Sequence, residues 1–453
     1  MSEQNVEEGS LANSAPAANE QANEVITLVL TADNHLGYAA PGQGPRKREE
    51  HQQRLRHAFQ QVTDFAIGQG VDFFIQAGDL FNNTSPDEQD RNFVATRLAQ
   101  LRQLGIRAFA VGGVHDTPAD MLAASGKSTP APQMGYARLG ALQYFLPQTI
   151  ASAEAQRGEQ AVLEPVLVDV RGITVGICGQ GVLAGQEGDP LAQLRVDSEI
   201  ERAAISLLVL HAPIEGMAAD GSVQQETRAQ VSRASIAQQS AFRYILAGYH
   251  HEYRRFQAGT TEVVVAGATQ QVDFNEPTND PGFVFLGLAA DGVRWCRHIA
   301  IDALQYHRVV IQTADIWPEG QDALNAPATD SILERLRPVC GADMLVQLRF
   351  EGEVARRQYH QLDLNQVRRF GEEHCFALSI DDSALSFLPE SQVASVETGE
   401  RLSPREELVA LADEWIAATG EEQERQALLH TKEELLAALD GVRYPASRHG
   451  FSH

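Results

Sequence analysis

The segment from residue 25 to residue 37 reads VITLVLTADNHLG. Its first six residues are almost entirely apolar and do not alternate with polar ones, which is typical of a strand buried on both faces. Two residues with metal-binding side chains, Asp33 and His35, follow at the point where this strand ends. Because loops at the carboxyl ends of strands build the ligand sites of open α/β sheets, the segment predicts both an α/β fold and a site.

The sequence that follows continues this α/β pattern. Helical periodicity is present at residues 48–68 and 87–104, and short apolar runs lie at 73–75 and 108–111. Strand, helix, strand, helix, strand is the order of a layered α/β domain. Further apolar runs, which would form the second half of the same sheet system, lie at residues 166–170, 173–178, 205–210, 244–247, 263–266 and 283–288.

Short polar segments follow several of the predicted strands. They are residues 31–37 (TADNHLG), 78–81 (GDLF), 113–116 (GVHD) and 248–251 (GYHH), together with the single residue His211. Asp and His side chains in combination suit Mn²⁺, Fe²⁺ or Zn²⁺. A carboxylate such as that of Asp79 can bridge two such ions, and the pair can then activate water and hold a phosphate. One such segment would carry little weight, but this series predicts a metal centre.

Composition indicates a cytoplasmic globular protein. The 453 residues are 43% hydrophobic and 21% charged, and the N-terminal residues MSEQNVEEGS lack the features of a signal peptide. No apolar run approaches the roughly 18 residues that span a bilayer, so we expect no membrane association. The four widely spaced cysteines favour reduced thiols over a zinc cluster or a disulfide framework. The net charge of −25 repels nucleic acid, so DNA contact requires a local basic surface or metal ions.

The order DxHLG, GDLF, GxHD, His and GxHH resembles that of the calcineurin-like metallophosphoesterase superfamily. Within it, DNHLGY, the basic helix that follows and AGDLFNN resemble the SbcD-type DNA-repair nucleases. The resemblance covers residues 25–380 and implies hydrolysis of a phosphodiester in DNA, with Mn²⁺ or another divalent ion such as Fe²⁺, Zn²⁺ or Mg²⁺. It also implies an SbcC-like ATPase as partner and a homodimer formed through the phosphoesterase domain.

The expected fold is therefore α/β, with a layered two-sheet metallophosphoesterase domain, a small α+β capping domain and C-terminal helices. The predicted boundaries are an acidic disordered tail at 1–23, the phosphoesterase domain at 24–303, the capping domain at 304–388, a linker at 389–403 and a helical partner-binding segment at 404–441.

The resemblance also assigns roles to individual residues. The ligands of a first metal ion would be Asp33, His35, Asp79 and His251. His115 would be the catalytic acid that assists the leaving group, and Asp116 would position it.

The second metal site departs from the family pattern. It would use Asp79, His211, an Asn and a His, but Val114 and Tyr249 occupy the last two positions. His250, next to Tyr249, is a candidate replacement ligand. We therefore expect one ion to bind tightly and a second to bind weakly or not at all.

A basic cluster directly after the first motif is the predicted DNA contact, and it comprises Arg46, Lys47, Arg48 and Arg54. A solvated helix face is the alternative interpretation of these residues. Two other functions stay open. The acidic charge favours a phosphoesterase that acts on small phosphate esters or nucleotides, whereas Val114 and Tyr249 favour a non-catalytic structural subunit of a DNA-processing complex.

Overall fold

The structure is a computed structural model that describes residues 25–40, 43–121, 129–148, 160–192, 194–217, 227–274, 280–317 and 328–387. Some helical residues of the C-terminal segment are also described, among them 428–432. The predicted tail and linker, and most of the predicted partner-binding segment, lie outside the described residues. The chain divides into two compact units, Met1–Phe387 and Leu388–His453.

The described strands, in chain order, are β1 (Ile26–Thr31), β2 (Phe73–Ala77), β3 (Arg107–Val111), β4 (Gln143–Phe145), β5 (Ala161–Leu163), β6 (Val166–Val170), β7 (Ile173–Gly181), β8 (Glu187–Gly188), β9 (Leu194–Val196), β10 (Ile205–His211), β11 (Arg228–Ala229), β12 (Tyr244–Gly248), β13 (Arg254–Ala258), β14 (Thr261–Val265), β15 (Gly282–Ala289), β16 (Gly292–Ala300), β17 (Gln305–Gln312), β18 (Met344–Val354) and β19 (Ala377–Phe387). The described α-helices are α1 (Pro45–Gln69), α2 (Glu88–Gln103), α3 (Gln133–Arg138), α4 (Arg233–Gln238), α5 (Thr313–Ile316), α6 (Ala328–Leu336), α7 (Arg356–His360) and α8 (Leu364–His374). None of these helices is long and apolar enough to cross a membrane.

The first large sheet has the strand order β16-β15-β1-β2-β3-β4, and its strands β1 to β4 run parallel. Helices α1 and α2 cover its outer face. There Leu55, Phe59 and Val62 of α1 pack into one buried cluster with Val29 and Phe74 of the sheet. Because burial of each large apolar side chain contributes about 1.5–3 kcal/mol, this helix face holds α1 firmly against the sheet.

The second large sheet has the order β13-β14-β12-β10-β7-β6, with β7, β10, β12 and β14 parallel. Its inner face packs on that of the first sheet. Leu28 and Leu30 from the first sheet share one core with Ile177, Leu207 and Leu246 from the second, and all five are 0% exposed. The predicted layered two-sheet α/β domain is thereby confirmed, and the carboxyl ends of its parallel strands meet along one edge.

A three-stranded sheet of order β17-β18-β19 and helices α5 to α8 form the region predicted as the capping domain. Its core joins Ile311, Leu348 and Phe350 of the sheet with Ile332 of α6 and Val367 of α8. Both strand pairings are parallel, because a helical connection separates each strand from the next.

The cysteine prediction is wrong for one pair. Cys340 and Cys375 form a disulfide, with Cα atoms 4.9 Å apart, whereas Cys178 and Cys296 are free. The two partners are 35 residues apart in sequence. They come together because Cys340 follows the end of α6 and Cys375 caps the end of α8, so packing of these helices creates a proximity that spacing alone does not reveal.

Candidate metal centre

The predicted site residues gather where the carboxyl edges of the two large sheets meet. They follow or end strands β1, β2, β3, β10 and β12 and comprise Asp33, His35, Asp79, His115, His211 and His251. The two edges are joined by a bridge between Ala32 and Ala268. They are also joined by a hydrogen bond of 2.8 Å from His211 Nδ1 to the carbonyl oxygen of Ala77.

The backbone of the site has an unusual conformation. Asp33, His35, Asp79 and Tyr249 have φ values of 49°, 45°, 52° and 83°, in the left-handed region that non-glycine residues rarely occupy. Each such residue costs on the order of 1–3 kcal/mol and persists only where its surroundings fix it. Here Asp33 N–H donates to Gly78 O at 3.0 Å, and His35 N–H donates to Asp79 O at 3.1 Å.

Two glycines allow the loops to approach one another. A Cβ on Gly78 would lie 2.1 Å from His211 Nδ1, and a Cβ on Gly113 would lie 2.1 Å from Asp79 Oδ1. Both distances are much shorter than a van der Waals contact, so any side chain at either position would displace a site residue. The glycines of the GDLF and GVHD segments are therefore required for the close packing of the site.

The side chains of the site form overlapping groups of possible metal ligands. His35 Nε2 and His251 Nε2 are 3.2 Å apart, and His211 Nε2 lies 3.3 Å from Asp79 Oδ2. In each of three groups, the members offer one ligand atom each, and these atoms lie within 4.8 Å of one another. The groups are Asp33, His35 and His251; His35, Asp79 and His115; and Asp33, Asp79 and His211. Nitrogen and carboxylate donors at these separations suit a divalent transition metal.

His211 provides a direct test of whether the donors fit a cation. Because a carbonyl oxygen only accepts, the contact with Ala77 O fixes the proton of His211 on Nδ1. Its Nε2 is buried and makes no hydrogen bond within the described part of the chain. This nitrogen faces Asp79 Oδ2 at 3.3 Å among the ligand groups, where a divalent ion would take the place of a proton, so the residues fit a divalent metal ion.

The charges of the buried site depend strongly on one another. Burial raises the pKa of Asp33 to about 7, against the opposing charges of His211 and His251. Burial alone would also raise the pKa of Asp79, but the charge and contact of His211 hold it well below its usual range. Burial lowers the pKa of His211, yet Asp79 outweighs this effect and raises it to about 9. Buried carboxylates are stable only with such positive partners.

The two positions that depart from the family pattern are apolar in character. Val114 and Tyr249 are 6% and 4% exposed and belong to the buried cluster that contains Cys178, Val182 and Ile214. The Tyr249 ring packs edge-on against His211, with ring centroids 5.6 Å apart. On this side of His211 the structure therefore provides apolar packing in place of two metal ligands.

His250, the candidate replacement ligand, makes a different contact. It is 4% exposed, and its Nε2 accepts a hydrogen bond of 2.8 Å from the Ile214 backbone N–H. It belongs to none of the possible ligand groups of the described residues. Recruitment of His250 to a metal would require this hydrogen bond to break.

His115 and Asp116 occupy distinct environments. His115 packs edge-on against His35 with ring centroids 4.8 Å apart, and its backbone N–H donates to Asp79 Oδ1 at 2.9 Å. Asp116 is 0% exposed and accepts from the backbone N–H groups of Gly113 at 2.9 Å and Phe81 at 3.2 Å. Its carboxylate therefore braces the loop that carries His115.

The predicted DNA-binding residues divide into two pairs. Arg54 Nη2 lies 2.6 Å from Asp343 Oδ1 of the capping region, and Lys47 Nζ lies 4.5 Å from the ring centre of Phe376. These two side chains thus join α1 to the capping region. The other two predicted DNA-binding residues, Arg46 and Arg48, are exposed and form no ion pair within the described ranges.

Sequence reasoning missed a polar network behind the metal ligands. Asn34 Nδ2 donates to Thr31 Oγ1 at 2.9 Å and to Thr269 Oγ1 at 3.2 Å, and Asn34 Oδ1 accepts from Gln76 Nε2 at 3.3 Å. The network ties β1 to β2 and to the segment after β14, and so fixes the loop of Asp33. Gln76 was the available signal, because it interrupts the otherwise apolar strand FFIQA.

Comparison with known proteins gives three kinds of similarity. The family described as calcineurin-like phosphoesterase matches residues 26–166. The DNA double-strand break repair protein Mre11 of Methanosarcina acetivorans is 32% identical over 92 residues, which are 20% of this chain and 14% of that protein. The Mre11 protein of Saccharolobus solfataricus is 30% identical over 94 residues, which are 21% of this chain and 23% of that protein. A putative 5'-nucleotidase from Staphylococcus aureus aligns over 61% of this chain and 55% of its own, at 14% identity and a TM-score of 0.33.

Proposed function

We propose that this chain, which contains a calcineurin-like metallophosphoesterase domain with distant similarity to Mre11 nucleases, cleaves phosphodiester bonds in DNA. The domain is that of a metal-dependent phosphoesterase. DNA as substrate, an SbcC-like ATPase as partner, a homodimeric state and a cytoplasmic location are the more specific parts of the proposal. The first three are supported by the similarity of the DNHLGY and AGDLFNN segments to SbcD-type nucleases, and the cytoplasmic location by the composition, which is 43% hydrophobic and 21% charged.

The observation that carries the proposal is the convergence of ligand atoms from both sheets on one point. Asp33, His35 and His251 form one group, and Asp79 and His211 adjoin it with Nε2 and Oδ2 3.3 Å apart. A divalent ion held by these residues would supply a Lewis acid for the phosphoryl oxygen and would lower the pKa of water. We propose Mn²⁺ as this ion.

The chain's own residues have separate parts in the reaction. His211 donates its Nδ1 proton to Ala77 O and so presents Nε2 to the site, where an ion would take the place of a proton. His115 lies at the half-buried rim of the ligand groups, where its ring can donate a proton to the leaving oxygen. Asp116 holds the His115 loop through backbone hydrogen bonds and so acts as a positioning residue.

We further propose that one ion binds tightly and a second binds weakly or not at all. Val114 and Tyr249 place apolar packing beside His211, and His250 already accepts a backbone hydrogen bond. Elemental analysis after equilibrium dialysis against Mn²⁺ measures the stoichiometry. Two firmly bound ions per chain would refute this part of the proposal.

Mn²⁺-dependent cleavage of labelled single- and double-stranded DNA tests the proposed reaction, with Asp79→Asn as the matched control. We expect cleavage by the unaltered chain and none by the variant, because Asp79 contributes to two of the three ligand groups. Asp79→Asn should also lose tight Mn²⁺ binding in the dialysis experiment. An unaltered chain that binds Mn²⁺ but cleaves no DNA, with or without an added ATPase partner, contradicts the proposal.

A structural subunit of a DNA-processing complex is the second candidate function. The observation that favours it is the buried apolar cluster around Val114 and Tyr249, because packing of this kind stabilises a fold and provides no ligand. Retention of ATPase-partner binding without hydrolysis of any phosphate ester would select this function.

A further inference from the structure

A cavity of about 930 Å³ lies between the phosphoesterase domain and the capping region. At one end it is lined by the possible metal ligands His35, His115 and His251. Its far wall comes from the capping region, including Arg368 and residues 376–380. The cavity thus extends from the candidate metal centre to the capping region.

Aromatic side chains form part of the cavity wall near the metal centre. Tyr38 and Phe274 line the cavity and are half-buried. Tyr38 is held in place by a hydrogen bond from its hydroxyl to Val272 O and by edge-on contact with His51, with ring centroids 5.5 Å apart. Phe274 packs against Tyr306 with ring centroids 4.9 Å apart. Rings that are fixed in this way provide preorganised surfaces for a planar ligand.

The polar groups of the wall nearly cancel in charge. The cations Lys47 and Arg368 line the cavity together with the carboxylates Asp273 and Glu372. Gln347 also lines it, and its Oε1 already accepts from Arg308 Nε at 2.6 Å, which leaves its amide N–H groups as donors. The wall away from the metal ligands therefore suits a neutral, planar, hydrogen-bonding group better than a phosphate.

We propose that this cavity is a subsite for one unpaired nucleotide, whose base lies against Tyr38 and Phe274 while its phosphate reaches the metal ligands. The proposal rests on the proposed phosphodiesterase function and adds its substrate class. Stacking on aromatic rings is the usual way in which proteins hold unpaired bases, and it tolerates every base.

The size of the cavity supports a single nucleotide. Cavities of about 300–1,000 Å³ enclose molecules of drug size, a class that includes a nucleoside monophosphate. A duplex is far larger, so a base can enter only after it has left its pair. The same chemistry is presented by the end of a DNA strand and by a free nucleotide, and these are the two sources that an experiment must separate.

Fluorescence of 2-aminopurine tests the subsite, because stacking on an aromatic ring quenches this base. Binding is measured with Ca²⁺ in place of Mn²⁺, so that cleavage does not interfere. The probes are 2-aminopurine deoxyriboside 5'-monophosphate, single strands that end in 2-aminopurine, the same strands with an abasic end, and duplexes with an internal, paired 2-aminopurine. We expect quenching with the first two probes and little further quenching with the paired base. The abasic strand carries no 2-aminopurine, so its binding is measured by displacement of the second probe, and we expect it to compete weakly.

Aromatic variants locate the bound base. We expect Tyr38→Ala and Phe274→Ala each to weaken binding of the 2-aminopurine probes by roughly 5- to 150-fold. Tyr38→Phe, which keeps the ring, should bind nearly as the unaltered chain does. The matched control is Phe387→Ala, because Phe387 is 43% exposed on β19 and does not line the cavity. Thermal unfolding of each variant shows whether the fold is retained.

Each outcome has a defined meaning. Tighter binding of the strand end assigns the subsite to DNA, and tighter binding of the monophosphate assigns it to free nucleotides. Equal affinity of the unaltered chain for abasic and complete strands would overturn the subsite. Unchanged quenching of 2-aminopurine in both Tyr38→Ala and Phe274→Ala would also overturn it. Hydrolysis is measured separately with a base-free phosphodiester. Loss of base binding with intact hydrolysis refutes only the subsite, whereas base binding without hydrolysis refutes only the proposed reaction.

Discussion

The salt dependence of DNA binding should separate the basic residues of α1 that we propose to contact phosphate from those that contact the capping region. Arg48 is exposed and forms no ion pair in the described part of the chain, whereas Arg54 lies 2.6 Å from Asp343. Each cation that neutralises a phosphate of duplex DNA adds about −0.9 to the slope of log K against log salt concentration. We therefore expect Arg48→Gln to flatten this slope by about 0.9 and Arg54→Gln to leave it unchanged.

Arg54→Gln should instead affect the attachment of the capping region. The Arg54 and Asp343 side chains are 34% and 54% exposed, so solvent screens their attraction. Exposed ion pairs of this kind contribute about 0.2–1 kcal/mol to the free energy of unfolding. A double-mutant cycle with Asp343→Asn should give a coupling free energy within this range.

Fluorescence anisotropy of a labelled duplex, titrated with each variant at several KCl concentrations, measures the slopes. Denaturant unfolding of the two single variants and the double variant measures the coupling. A slope that Arg54→Gln flattens as much as Arg48→Gln does would show that Arg54 contacts phosphate, and would refute its assignment as a contact between domains.

Three further predictions concern metal stoichiometry, pH dependence and stability. Val114→Asn combined with Tyr249→His should raise tightly bound Mn²⁺ from one to two ions per chain in equilibrium dialysis, and two ions in the unaltered chain would contradict this. Burial lowers the pKa of His51 to about 4, below the 6.5 of an unfolded chain, so the unfolded state binds more protons between these pH values. The resulting stability is complete above pH 6.5 and is lost as the pH falls through 4, by about 3 kcal/mol in total. His51→Gln should remove this part of the pH dependence of denaturant unfolding, and an unchanged dependence would contradict the assignment. Arg56→Met should lower the free energy of unfolding by about 3–5 kcal/mol, because it leaves the fully buried Asp90 carboxylate, 2.8 Å from Arg56 Nη1, without this partner. A loss below 1 kcal/mol in denaturant unfolding would show that Asp90 does not depend on this pair.

The sequence predicts those parts of the fold and site that depend on local pattern. Continuous apolar runs such as residues 25–30 indicate buried strands whatever their neighbours, and residues at strand ends then share one edge of a sheet. Asp33 and His251 could therefore be placed near each other although they are 218 positions apart. Their closeness follows from topology and needs no detail of packing.

Features that depend on side-chain packing could not be predicted in this way. The Cys340–Cys375 pair forms because two helix ends meet, and the Arg54–Asp343 pair forms because the capping region lies over α1. His250 was a reasonable replacement ligand by position, but position does not reveal the hydrogen bond that its ring accepts from the backbone. In each case the relevant partner lies in a distant segment with no motif of its own.

The energetics of the metal centre distinguish a site that holds a cation from one that only stabilises the fold. Asp33, His35 and Asp79 have left-handed backbone conformations, each of which costs on the order of 1–3 kcal/mol. The carboxylates of Asp33 and Asp79 are also buried, at 0% and 2% exposure, which carries a further desolvation penalty. In a purely structural role, these costs would be opposed by the neighbouring histidines and by the backbone N–H groups of His115 and Tyr249. Apolar residues in the same positions would pack without these costs. A bound divalent cation offsets the carboxylate charge directly and adds its own binding free energy to the folded state. The arrangement is therefore better explained by at least one bound ion than by a structural role alone.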